Sequence, residues 1–214
     1  MNYIDYPNRE EWLKGRCNSL GASEVASVLG MGFQTPLELW KIKTKKEEPK
    51  DLSYHPRVKY GIDAEEHLRM LFALKNTDKY KIIYEPYRTY FHVKHSFLTC
   101  TLDGRLIRIE DQQKGVWECK TVWVTSKKTL EEWNGCIPNK YYCQVCEQLS
   151  ITGYSFAIIT VELIFPDGNS ETRNITIERN AQVEKDIEFI TKEAVEFWEK
   201  YVIPGKRPPV KMVL

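Results

Sequence analysis

No stretch of this 214-residue chain approaches the roughly 20 consecutive apolar residues that a membrane-spanning helix needs. The amino terminus, Met1-Asn-Tyr-Ile-Asp-Tyr-Pro7, has no basic region followed by an apolar core, so no secretory leader is expected and the expected location is cytoplasmic, without membrane contact. An excess of one charge sign is missing too: 31 Lys and Arg stand against 30 Asp and Glu. Any nucleic-acid surface must therefore be a local basic patch rather than a property of the whole chain. There is no internal repeat, no low-complexity segment and no break in composition. With 42% hydrophobic residues the chain can build one sizeable core, and one domain over 1–214 is expected. The six cysteines, in a chain expected to be non-secreted, are expected as thiols or metal ligands rather than disulfides.

What is there is organised around Thr99 to Val124. Leu102, Leu106, Ile107 and Ile109 alternate loosely with polar residues, Val116, Trp117, Val122 and Val124 favour strand, and Glu110 to Gly115 reads as the connection of a hairpin. Side chains alternate along a strand, so Glu118 and Lys120 share one face while Cys119 takes the other, and Asp103 can meet them across the hairpin. Two carboxylates and an ammonium converging on a sheet face make a hard-oxygen site for Mg²⁺ or Mn²⁺, with a cation beside it to orient water or stabilise developing negative charge. On this stretch alone the same residues also fit a cross-strand salt bridge on a solvated face.

The rest of the chain supplies helices and further strands. Asn8 begins a short capped helix; Ser23 fits an N-cap and Gly30 a stop; Thr35-Pro36 opens another helix, followed by a charged loop through Lys50. From Val58 to about Lys75 the apolar spacing is helical, with Gly61 and Glu65 four residues apart; Glu65 fits a third metal carboxylate or an ordinary solvated acid. Lys81 to Val93 alternates on either side of Pro86 and reads as one or two strands leading into the hairpin, with His92 and His95 as surface residues. A short helix is expected near Ser126 to Trp133, then one opened by Pro138 and closed by Gly153, on which Gln144 and Gln148 share a face. A second hairpin follows, its first strand central and buried, then a helix over about 181–202 with a Val183, Ile187, Ile190, Val195, Trp198 stripe, and a basic tail from Lys206.

This order of a helix, strands carrying Asp and then Glu-x-Lys, a helix with Gln, and a strand is that of the PD-(D/E)xK nuclease superfamily. Gly21-Ala-Ser23-Glu-Val, Thr-Pro-Leu-Glu-Leu-Trp40, Gly61-x-x-x-Glu65, Leu102-Asp103-Gly, Trp117-Glu118-x-Lys120 and Tyr141-Tyr-x-Gln144-Val together resemble the YqaJ-like viral recombinases, the group that contains phage lambda exonuclease. The resemblance covers about residues 12–165 and leaves the C-terminal hairpin, helix and tail, 166–214, outside it.

The resemblance implies an α/β fold with a central mixed sheet flanked by helices. It implies that Asp103, Glu118 and the backbone carbonyl of Cys119 bind Mg²⁺ (or Mn²⁺), two ions per site, with Glu65 completing the shell. Lys120 would position the attacking water, Gln144 would hold the reacting groups, and Arg16, Ser23 and Thr101 would form a pocket for a terminal 5′-phosphate. From the residues alone, Ser23 fits a plain N-cap and Arg16 a solvated surface charge equally. Two departures from the family pattern stand out: Cys146 occupies the place of a frequent second Gln, and Thr101 and Leu102 stand where Ser or Pro often precedes the Asp. The implied function is a Mg²⁺-dependent 5′-to-3′ exonuclease on double-stranded DNA ends that releases mononucleotides and leaves 3′ tails for phage-type recombination. A homotrimeric ring, a single-strand annealing partner and the cytoplasm of a bacterial host belong to the same expectation. An iron–sulfur cluster on Cys17, Cys136, Cys143 and Cys146 is the cofactor alternative, and the expectation is against it, since Cys143 and Cys146 lie in the Gln144 helix. The functional alternatives are a sequence-specific endonuclease of the same fold and a catalytically silent nucleic-acid-binding protein.

Overall fold

In the computed structural model, which describes residues 2–209, the chain runs β1 (Asn2–Asp5), α1 (Arg9–Arg16), β2 (Leu20–Gly21), a 3₁₀ turn (Ala22–Glu24), α2 (Val25–Val28), α3 (Pro36–Lys43), α4 (Pro56–Lys75), β3 (Tyr80–Ile83), β4 (Arg88–Phe91), β5 (Leu98–Cys100), β6 (Gly104–Arg108), β7 (Lys114–Trp123), α5 (Lys127–Glu131), α6 (Asn139–Thr152), β8 (Phe156–Ile164), β9 (Ser170–Glu178) and α7 (Ala181–Phe197). The last helix continues as a π-helical turn over Trp198–Val202. Of the tail that begins at Lys206, Val210 and Lys211 lie outside the described residues.

Local chemistry sets most helix ends. The Asn8 side chain accepts from the Glu11 amide at 3.0 Å, and Thr35 and Glu38 cap each other reciprocally ahead of Pro36. Ser126 caps α5, and Gly153, at φ +67°, ends α6 in the left-handed conformation that a side chain would strain. The N-terminal cap at Ser23 is a correction: the chain already turns at Ala22, so Gly21 occupies the cap position of the 3₁₀ turn, with its N–H donating to Glu24 at 2.8 Å, and Ser23 lies inside the turn.

The strands form two mixed sheets. The larger has the order β3-β6-β7-β8-β9, with β7 and β8 parallel and every other pair antiparallel. The connection between the parallel strands carries α5 and α6, so the helix bearing both glutamines is placed on the sheet by the crossover itself. The smaller sheet has the order β1-β4-β5-β2. Thus the segments on either side of Pro86 go to different sheets, and the stretch from Thr99 to Ile109 is interrupted: Leu98–Cys100 pairs in the small sheet, and Asp103 lies in the irregular link before β6. Period-two patterning marks extended chain but not its partner, and these pairings are non-local.

Alternation along β7 divides the core. Val116 packs with α2, α6 and α7 residues, while Trp117 and Cys119 join Ala64, Leu68 and Phe72 of α4 on the opposite face. Strand β8, buried at every residue through Leu163, contributes Ala157, Ile159 and Val161 to the first cluster and Phe156 and Ile158 to the second. A strand buried on both faces reads as the continuous apolar run seen here. The α7 stripe departs from expectation in its last two turns: Ala194 and Phe197 are buried where Val195 and Trp198 are only partly so, as a 3.6-residue period requires.

A carboxyl sits inside the α6–α7 contact. Glu147 is fully buried, accepts from the Thr191 hydroxyl at 3.1 Å and leaves its other oxygen without a partner, and burial pushes its carboxyl up to about 7 from 4.5. Below about 4.5 folded and unfolded chains both hold this proton; between 4.5 and 7 only the fold does, so rising pH favours unfolding. The Glu147→Gln variant is therefore expected to gain stability over the parent as pH rises through this window, by about 1–3 kcal/mol, read as the difference in urea midpoints at pH 5 and pH 8.

Candidate active site

The Glu118 carboxylate, 2% exposed, is held from three directions. Lys120 Nζ and Gln144 Nε2 donate to its Oε1 at 2.5 and 2.6 Å, and Gln148 Nε2 donates to its Oε2 at 2.6 Å. Lys120 arrives by strand alternation and the amides by helical spacing four apart. Across the hairpin Asp103 Oδ2 accepts from the Cys119 amide at 2.9 Å, which fixes the second acid beside the first. Burial raises the Asp103 carboxyl well above its ordinary value, and the charges of Glu118 and Glu65 push it further. Burial acts to lower Lys120, but the charges of Glu118 and Asp103 outweigh it, so the ammonium is held above its usual range.

Glu65 stands at the edge of this group. Helix α4 approaches β7 closely at Gly61, where an added Cβ would lie 3.1 Å from Thr121 Oγ1, and one turn later Glu65 faces the centre. Its carboxylate accepts from Arg69 at 3.0 Å, and Arg69 also donates to the Asp103 carbonyl at 3.2 Å. Burial and then the Glu118 charge raise Glu65, while Arg69 opposes them.

These groups form the floor of a cleft of about 810 Å³ that Arg16, Ser23 and Thr101 also line. Arg16 Nη2 lies 3.4 Å from Ser23 Oγ, and the Arg16 guanidinium sits 4.8 Å over the Trp12 ring. The Trp12 indole N–H donates to Thr101 Oγ1 at 2.9 Å. Two residues of this site escape the sequence reading. Gln148 was legible only as a face-mate of Gln144, and Trp12, which touches both Arg16 and Thr101, carries no motif signal. Cys146, at the place of the family's frequent second Gln, is fully buried in the core. The second amide reaches the acid from one turn further along, at Gln148.

Among the described residues no three His, Cys, Asp or Glu side chains stand together in a metal-holding arrangement. All six cysteines are free thiols, with Cys17 and Cys136 exposed and Cys143 and Cys146 buried. The donor set nonetheless suits a hard divalent cation. Asp103 and Glu118 are two oxygen ligands in one buried pocket, and burial together with the Glu118 charge raises the Asp103 carboxyl.

Comparison with known proteins follows the same residues. A model of the YqaJ-like viral recombinase domain matches residues 11–155. The chain is 28% identical over 203 residues to the protein YqaJ of Bacillus subtilis (strain 168), covering 94% of this chain and 59% of that protein, so it spans under two thirds of that relative's length. The solved structure of LHK-Exo in complex with dAMP superposes with a TM-score of 0.66 at 18% identity, covering 93% of this chain and 97% of that one. The alkaline exonuclease LHK-Exo from Laribacter hongkongensis gives 0.59 at 17% identity, covering 92% and 99%. A SOX–DNA complex gives 0.55 at 10%, covering 89% and 67%. At these identities the structural likeness is one of fold.

Two substitutions separate repulsion from support in this centre. Asp103→Asn is expected to raise the urea midpoint of metal-free protein at pH 8, by on the order of 1 kcal/mol, because it removes a like charge from the pocket. The raised Asp103 carboxyl means that this gain shrinks as pH falls and vanishes only below 3.8, the ordinary value, where Asp103 is protonated in both states. Gln148→Leu is expected to lower the midpoint by about 1.5–3 kcal/mol, since it strips a donor from a buried carboxylate.

Proposed function

The chain belongs to the YqaJ-like viral recombinase family, and we propose that it is a Mg²⁺-dependent nuclease that degrades double-stranded DNA from 5′ ends, releasing mononucleotides and leaving 3′ single-stranded tails. The observation that carries this reading is the buried Glu118 carboxylate, tied to Lys120 and two glutamines beside Asp103, on the floor of a cleft whose wall holds Arg16, Ser23 and Thr101.

Asp103, Glu118 and the Cys119 carbonyl would hold the divalent ions, with Glu65 completing the shell. When bound, such ions supply Lewis-acid neutralisation of a scissile phosphate and activate water as the nucleophile. The protein's own part is positional and electrostatic. Gln144 and Gln148 hold Glu118 in one rotamer, so the acid loses no order as substrate arrives. Lys120, kept protonated by the two carboxylates, stands where it can orient the attacking water or meet negative charge developing on the phosphate.

The cleft wall supports recognition of the end. Arg16 offers a planar fork of donors, and the Ser23 and Thr101 hydroxyls add donors of their own, a set suited to a terminal 5′-phosphate. Trp12 orients this wall by stacking under Arg16 and bonding Thr101. In this reading the protein works in the cytoplasm of a bacterial host in phage-type recombination, as a homotrimeric ring that passes its 3′ tail to a single-strand annealing protein.

The test is digestion of a linear duplex phosphorylated at one 5′ end, its strands labelled separately, with closed circular DNA alongside. With Mg²⁺ the phosphorylated strand is expected to shorten from its 5′ end while circles survive, and EDTA is expected to stop the reaction. Lys120→Ala is expected to lose at least about 10²-fold in rate. Cuts at discrete sites in circles would replace this reading with an endonuclease, and inertness under both Mg²⁺ and Mn²⁺ would replace it with a binding protein.

A further inference from the structure

At the rim of the cleft one large aromatic side chain is almost wholly exposed. Phe33 is 77% exposed, although it lies on a short, tightly held loop between α2 and α3. Gly30 takes φ +77°, the Met31 amide donates to the Ala26 carbonyl at 2.8 Å, and Gly32 packs so closely on Ser27 that an added Cβ would lie 2.5 Å from the Ser27 nitrogen. Beyond Phe33 the chain enters the Thr35–Glu38 capping box. The loop is therefore pinned at both ends, and the ring is presented to solvent at a fixed place rather than by chance of a floppy segment.

The ring's neighbours make a track that leads to the reacting centre. Lys140 Nζ sits 4.5 Å over the Phe33 ring and 4.9 Å over Tyr141, whose ring centre is 6.3 Å from that of Phe33. Tyr141 in turn rests against buried Trp133 at 5.4 Å and has Lys120 Nζ 5.4 Å over its ring. From Lys120 outward the order is thus cation, aromatic, cation, exposed aromatic. That alternation suits a single nucleic-acid strand, in which phosphates meet the cations and unpaired bases stack on the rings. A hydrophobic protein partner would not call for lysines bracketing each ring, and a folded core would not leave Phe33 in water.

We infer that Phe33, backed by Lys140 and Tyr141, is a stacking platform for an unpaired base of the DNA strand that occupies the cleft. The inference rests on the nuclease reading for its choice of ligand, and it goes beyond that reading by assigning a base-binding subsite on the α2–α3 loop. An exposed face of a rigid ring discriminates little among bases, so the platform fixes the path of the strand and not its sequence.

The experiment uses the full chain in EDTA, so that no strand is cut, with a 5′-phosphorylated duplex whose end is frayed and carries 2-aminopurine at each terminal position in turn. Wild type is expected to quench the fluorescence at one position. Phe33→Ala is expected to lose that quenching and to bind the frayed end about tenfold more weakly. Phe33→Leu, similar in bulk but without a π face, is expected to behave as Phe33→Ala does, and Phe33→Trp to restore both signals. Thermal midpoints check that the variants fold, as the exposure of the ring predicts. Unchanged quenching and affinity in Phe33→Ala and Phe33→Leu, or no quenching by wild type, would overturn the platform. Digestion of linear duplex under Mg²⁺ in parallel keeps the two readings apart: wild type that cuts while the substitutions leave binding untouched sinks the platform alone, whereas quenching that depends on Phe33 in a protein inert under Mg²⁺ and Mn²⁺ sinks the nuclease alone.

Discussion

A carboxylate buried in the middle of a sheet is the constraint on which the rest depends. Unpaired, Glu118 would cost several kcal/mol, roughly the stability margin of a whole domain. It is kept by three donors that come from two elements, Lys120 from its own strand and Gln144 and Gln148 from α6. Those donors must therefore be in place before the fold is stable, which fixes the position of α6 on the sheet. The parallel β7–β8 crossover delivers the helix there, and the apolar residues of α6, including Val145 and Leu149, seal it against the core. Folding and assembly of the centre are one event.

The second acid shows the opposite sign. Asp103 gains one hydrogen bond from the Cys119 amide, but burial and the charges of Glu118 and Glu65 work against its ionised form. Such a residue weakens the fold and persists where the strain serves a site. The donors that satisfy Glu118 leave the charge of Asp103 uncompensated, and in the proposed function a divalent cation would answer it.

Much of this was legible in the sequence, and the limits have physical causes. Asn8, Thr35, Ser126 and Gly153 set helix ends through contacts within a few residues, so their signals are local and survived intact. The shared face of Glu118 and Lys120 follows from strand alternation alone. Gln148 was visible as a face-mate of Gln144, yet only the placement of α6 shows that both amides reach one carboxylate. The small sheet was hidden because β2 has two residues and β5 three, and their pairing joins Leu20 to Leu98 across most of the intervening chain. Ser23 was misplaced for a related reason: a serine before an apolar run signals a cap, but the chain already turns at Ala22, so Gly21 takes the cap position and Ser23 lies inside the turn. The exposed ring of Phe33 follows no periodicity at all.

The two sheets meet at the cleft, and what holds them in register matters for any chemistry between them. The Thr101 wall is tied to the small sheet, where its predecessor Cys100 pairs with Tyr90, whereas Glu118 belongs to the large sheet. Glu85 joins the two: it accepts from Arg105 of β6 at 3.0 Å, from Arg88 of β4 at 2.6 Å and from the Tyr90 hydroxyl at 2.6 Å. Burial acts to raise this carboxyl, but the hydrogen bonds from Arg105 and Tyr90 and the neighbouring positive charges hold it below the usual range. Arg88 continues the chain to Asp5 of β1, and Gln148 contributes a long contact to the Thr101 carbonyl from the acid's side. The separation between the Thr101 wall and the buried acid is thus set by a multiply bonded ionic junction rather than by a loop. For the exonuclease proposed above, that rigidity is the geometric requirement, since small misplacements of reacting groups are costly in rate.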